Sequence, residues 1–122
     1  MTLEILYVED DALVRELTLE LLSNGSRVVV AVATGEEALS ILSAKRFDLV
    51  VTDINLPAMS GVELARRVAA NYPSLPIILA SGYLLDPKDC GLGAQVRAIT
   101  KPFTTLTFDQ LVQELCLSPG AE

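Results

Sequence analysis

Five short apolar runs, each followed by a segment with helical periodicity, constrain this chain more than any other feature of its sequence. The runs occupy residues 3–8 (LEILYV), 27–33 (RVVVAVA), 49–52 (LVVT), 76–81 (PIILAS) and 96–100 (VRAIT). All have strand length, and the second and third read as strands buried on both faces, rich in β-branched residues and without polar alternation. The fifth is less apolar, which places it at a sheet edge. Between the runs, apolar residues recur at helical spacing. Residues 12–24 carry Val14, Leu17 and Leu21 on one arc, with Gly25 closing the helix. Leu13 lies at the rim of that arc and Leu19 outside it, so this helix should show apolar surface. Residues 34–45 turn Ala38, Leu39 and Leu42 inward, and residues 62–71 do the same with Leu64, Ala65 and Val68. Thr34-x-x-Glu37 and Ser60-x-x-Glu63 are capping boxes that open these two helices. Pro87, Gly91 and Gly93 weaken residues 84–93, where any helix should be short and mobile. Phe108, Leu111, Val112 and Leu115 mark a closing helix, and residues 118–122 read as a loose tail. Strands that alternate with helices pair in parallel through right-handed crossovers, which gives an α/β fold with a doubly wound sheet.

The chain has 122 residues, a single domain's worth, and enough to bury a core without disulfides or metal staples. A mean hydropathy of +0.44 fits a sheet covered by helices on both sides. A net charge of −7 argues against nonspecific nucleic-acid binding. No apolar run reaches the roughly 18 residues of a membrane span, and the first residues lack a signal-peptide pattern, so no membrane association and a cytoplasmic location are expected. There is no histidine, and Cys90 and Cys116 lack metal-ligand spacing. That removes histidine-based catalysis and most zinc chemistry, and leaves two reduced cysteines.

Polar residues at the ends of these runs carry the functional signal. Asp53 closes the third run, and a carboxylate at the tip of a buried strand is costly without a cation or a set of donors. Open α/β sheets place their chemistry at this carboxyl edge, and if the first strand is central the ends of the first and third strands become neighbours there. Glu9 and Asp10 then converge with Asp53. Carboxylates ~4 Å apart repel by several kcal/mol at an effective dielectric of about 20, so the cluster must hold a cation or take up protons. Magnesium fits best, because it accepts a few carboxylates and keeps positions for water and phosphate oxygens. Ser81 and Lys101 end the fourth and fifth runs on the same edge and can supply a hydrogen bond and a positive charge to an anion near Asp53. The set suits in-line attack of the Asp53 carboxylate on phosphorus, with no general base required.

The motifs VEDD at 8–11, TDINLPAMSG at 52–61, ASG at 80–82 and TKPF at 100–103 resemble those of the response-regulator receiver domains of two-component signalling. The resemblance runs from about residue 3 to residue 117 and treats the chain, 1–122, as one receiver domain. It implies a five-stranded parallel sheet of order 2-1-3-4-5, the flavodoxin-like three-layer α/β/α arrangement. It also implies that Glu9 and Asp10 are metal acids, and that Asp53 is the phospho-acceptor as well as a ligand of Mg2+. Asn55 would offer its backbone carbonyl to the ion, Ser81 would be the switch hydroxyl and Lys101 the phosphate-facing lysine. The bond before Pro102 would be cis. The implied donor is a histidine kinase or histidine phosphotransfer protein, and the implied output an unidentified downstream protein bound by a monomer or weak dimer. Such a domain is not an enzyme beyond its own phosphorylation and dephosphorylation. Receivers commonly carry an aromatic residue three positions before the lysine; here Ala98 stands there, with Tyr83 as a possible substitute. Three alternatives stand beside this reading: a receiver module of a hybrid kinase, a small magnesium-dependent phosphohydrolase, and an unphosphorylated interaction module. The first methionine and short tail favour a stand-alone chain, and Asn55, where a second acid would be needed, disfavours the hydrolase.

Overall fold

The computed structural model describes residues 2–117. In chain order the elements are β1 (Leu3–Val8), α1 (Ala12–Leu22), β2 (Arg27–Val32), α2 (Gly35–Ala44), β3 (Leu49–Asp53), α3 (Gly61–Asn71), β4 (Ile77–Ser81), β5 (Val96–Thr100) and α4 (Thr105–Val112). A single 3-10 turn, Pro87–Cys90, lies between β4 and β5, and a π-type turn, Gln113–Leu117, follows α4. The sheet has the order β2-β1-β3-β4-β5 with every pair parallel, as the alternation and the resemblance imply.

Alternate residues of the central strands feed two cores. Leu6, Val8, Val50, Ile77 and Leu79 pack against α2 and α3 through Ala38, Leu42, Leu64, Ala65 and Val68. On the other face Ile5, Tyr7, Leu49, Val51 and Ile78 pack against Leu22 of α1 and Phe108 and Val112 of α4. Every residue of β3 and β4 is buried, so these strands carry apolar side chains on both faces. Phe108 stacks near Phe103 at 6.1 Å, and the Arg27 guanidinium lies 5.1 Å from the Phe108 ring centre. Arg27 also bonds Asp109 at 2.6 Å, which ties α4 to the β2 edge.

Three expectations need correction. The second run is an outer strand and only half-buried, with Val28 47% exposed. An apolar run records propensity and does not distinguish an edge strand from a central one. Leu17 is not an inward residue: it is 60% exposed, and Leu22 is the buried anchor of α1. Gly25 does not cap that helix. Ser23, in extended conformation, ends it with its backbone N–H and its Oγ on the Leu19 carbonyl. The expected edge position of β5 and the short helical content of 84–93 both hold, the latter reduced to the 3-10 turn. The loose tail at 118–122 lies outside the described residues.

Candidate functional site

The ends of β1, β3, β4 and β5 meet at one edge of the sheet, and hydrogen bonds fix their register. Val8 aligns with Thr52, Asp53 with Ala80, and Ser81 with Thr100. Past the last pairs, the Ile54 amide donates to Ala80 O (3.2 Å), the Glu9 amide to Val32 O (3.0 Å) and the Lys101 amide to Ser81 O (2.6 Å). Asp53 and Glu9 are therefore held on rigid backbone, 7% and 3% exposed. Asp10 is exposed at the mouth. One carboxylate oxygen from each of Glu9, Asp10 and Asp53 lies within 4.8 Å of the others.

Lys101 reaches back into this group. Its Nζ is 2.5 Å from Asp53 Oδ1 and 3.2 Å from Glu9 Oε1. Burial lowers the lysine pKa, but hydrogen bonding and the charge of Asp53, then of Glu9, outweigh it and hold the ammonium above its ordinary value. The Lys101-Pro102 bond is cis. Ser81 is buried at the tip of β4, and its Oγ accepts the Tyr83 amide at 3.1 Å, so the hydroxyl proton is left to donate elsewhere. Asn55 is exposed in the loop two residues past Asp53. Glu9, Asp10, Asp53 and Lys101 are thus gathered directly, whereas Ser81 and Asn55 sit on the adjoining strand end and loop.

Two features of this edge are not apparent in the motifs. Asp11, third of the consecutive acids, stands apart from the cluster: its Oδ1 accepts the Leu13 and Val14 amides as the N-cap of α1. Tyr7, 1% exposed, places its hydroxyl 3.4 Å from Glu9 Oε1. Burial, chiefly, outweighs the opposing hydrogen bond of Thr18 and, with the charges of Glu9 and Asp53, pushes its pKa up and keeps the phenol protonated. No separate signal for it exists in the sequence, since an aromatic residue within β1 reads as core.

The β3–α3 loop is tightly folded. Ala58 has φ of 64°, and the Met59 amide donates to Pro57 O at 2.6 Å across it. Gly61 opens α3 against the end of β3. A Cβ there would lie 2.1 Å from Asp53 O, so no other residue fits without displacing the Asp53 backbone.

An oxygen-only donor set of three acids at a strand edge fits a hard divalent cation such as magnesium, with Lys101 supplying part of the balancing charge. A family model for the response regulator receiver domain matches residues 5–114. The chain belongs to that family. Among relatives, this receiver is 34% identical over 126 residues to the response regulator protein FleR of Pseudomonas aeruginosa, covering 100% of this chain and 27% of that one. It is 40% identical over 104 residues to the two-component response regulator PhoP of the same organism, covering 83% and 46%. The receiver thus spans under half the length of these relatives. Among solved structures, it resembles the receiver domain of a signal transduction histidine kinase from Syntrophus aciditrophicus (TM-score 0.80, 32% identity, 96% of this chain and 91% of that one). It also resembles the receiver domain of a sensor histidine kinase from Pseudomonas aeruginosa (TM-score 0.83, 25% identity, 97% and 100%), whose structure is described as having a magnesium ion coordinated in the active-site cleft.

Proposed function

We propose that this receiver accepts a phosphoryl group on Asp53 from a histidine kinase or histidine phosphotransfer protein, with magnesium, and thereby switches a partner-binding surface. The observation that carries this is the cluster of Glu9, Asp10 and Asp53 with Lys101 bridging two of them at the carboxyl edge of the sheet. One carboxylate oxygen of Asp53 attacks phosphorus as the phosphorus–nitrogen bond to the donor imidazole, protonated on its other ring nitrogen, breaks, leaving an acyl phosphate on Asp53 and a neutral imidazole that keeps that proton. Bound magnesium, held by Glu9, Asp10, Asp53 and the Asn55 backbone carbonyl, would neutralise charge on the transferred oxygens. Lys101 shifts its ammonium toward the phosphoryl group, and Ser81 donates its hydroxyl proton. On this reading the domain is a phospho-acceptor, with at most its own phosphorylation and dephosphorylation as activity.

The face for the donor is α1. Leu13 and Leu17 are 67% and 60% exposed, and Leu17 lines a groove of about 420 Å³ together with Val14, Thr18, Leu21, Lys101, Pro102 and Phe103. An apolar helix pair fits there with its phosphohistidine facing Asp53. For output, nearly two new negative charges at Asp53 draw Ser81 inward and move Tyr83 and Leu84, 57% and 88% exposed, together with the 3-10 turn beyond them. Ala98 is half-buried on β5, so no ring at that position takes part.

Transfer from a phosphorylated kinase or phosphotransfer protein tests the reading. Wild-type chain should drain the phosphohistidine in magnesium, while Asp53→Asn leaves it on the donor. Equal draining by both would refute it, and repeated turnover of a phosphate monoester would favour a hydrolase instead.

A further inference from the structure

Resting on that magnesium-dependent reading, we infer that the Tyr7 hydroxyl is a positioning group for the cation site, holding the Glu9 carboxylate in the direction from which it meets the ion. Glu9 is almost completely buried, so water does not orient it. Three donors do so instead: the Asp11 amide on Oε2 at 3.2 Å, and Lys101 Nζ at 3.2 Å and the Tyr7 hydroxyl at 3.4 Å, both on Oε1. The donors differ in permanence. The Lys101 side chain is 29% exposed at the end of a flexible stem and also bonds Asp53, so it leaves Glu9 when a phosphoryl group claims it. Tyr7 has no such freedom. Its ring is 1% exposed and packed in the core beneath β1 with Leu22, Val51 and Phe108.

The requirement runs in both directions. A phenol at this depth needs hydrogen-bond partners: the Thr18 side chain bonds its oxygen, and the carboxylate oxygen of Glu9 receives its proton. At 3.4 Å the contact is long for a hydroxyl donor, and Oε1 also serves Lys101. Once Lys101 turns away, Tyr7 and the Asp11 amide remain as the groups that fix the plane of the carboxylate. Outer partners of metal ligands act in this way on affinity, typically by 10–100-fold.

Calorimetric magnesium titration of the full chain tests the role. Tyr7→Phe keeps the ring and removes the donor; its magnesium dissociation constant should rise by roughly tenfold. The rate of labelling by a small phosphodonor should show a matching shift in the magnesium concentration at half-maximal rate, with little change in the plateau. A packing defect would instead lower the melting temperature in chelator and leave magnesium affinity within twofold of wild type, which overturns the proposal. A double-mutant cycle with Glu9→Gln guards against a general loss of stability. If Tyr7 works through Glu9, Tyr7→Phe adds no further loss of affinity in that background, whereas an equal loss in both backgrounds refutes it. A wild-type chain that binds no magnesium overturns the functional reading itself, and the role of Tyr7 with it.

Discussion

Lys101 links the stability of this receiver to its chemistry, because its ammonium stands between two buried carboxylates. Its pKa is raised on folding, so the stability from these pairs is complete below the ordinary lysine value of 10.5 and is lost as pH rises through the higher folded value. Lys101→Met should therefore melt earlier than wild type near neutral pH in chelator, and the two curves should converge at strongly alkaline pH. Added magnesium should narrow the gap, since the ion and the ammonium offset the same charges; a gap indifferent to magnesium would mean that they do not share the acids. Gly61 and Ala58 make a second residue-scale pair. Gly61→Ala drives a methyl onto the Asp53 carbonyl and should cost roughly 1–3 kcal/mol in urea unfolding, with the displaced Asp53 labelling more slowly. Ala58→Gly relieves a left-handed residue and should gain about 1 kcal/mol in the same measurement.

At the scale of elements, α1 has two tasks that separate by mutation. Its start is held by Asp11, so Asp11→Ala should lower stability by about 1 kcal/mol. If its exposed leucines form the proposed docking face, Leu13→Asp with Leu17→Asp should slow transfer from a protein donor while leaving labelling by a small phosphodonor unchanged. Loss of both would remove α1 from the docking account. The sequence was informative about elements wherever local chemistry decides. Thr34 and Ser60 cap α2 and α3 through the amides of Glu37 and Glu63, as their motifs imply. It misled where tertiary context decides. Leu17 obeys the helical period yet faces solvent, because α1 is narrowly covered and Leu22 takes the buried place. Glu63 completes no reciprocal box, because Arg66 and Arg67 hold its carboxylate, and the Arg67 hydrogen bond foremost keeps its pKa below the usual range. The acids at 9–11 look alike in sequence, and only the turn of the chain sorts Asp11 to the helix and Glu9 and Asp10 to the pocket.

Across the whole molecule, the sheet is a rigid plate buried by two helices on each face, and the functional groups all stand on one rim of it. Residues 82–95 hold one short 3-10 turn beside the β5 edge, with Pro87, Gly91 and Gly93 among them. Amides there should exchange faster than those of β4, and a phosphoryl mimic should change exchange from Gly82 to Ala98 more than in α2. The rim itself was foreseeable, since alternation implies parallel pairing and the order implied by the resemblance, with β1 central, brings the ends of β1 and β3 together. Tyr7 was hidden, because an aromatic residue in a strand reads as core until its hydroxyl is seen beside Glu9. The most direct test of the central claim is the intact mass of the chain after treatment with a small phosphodonor, with and without magnesium. The account predicts one phosphoryl group per chain, dependent on magnesium, mapped to Asp53 and absent from Asp53→Asn; an unmodified wild-type chain in magnesium, or a label that persists in Asp53→Asn, would contradict it.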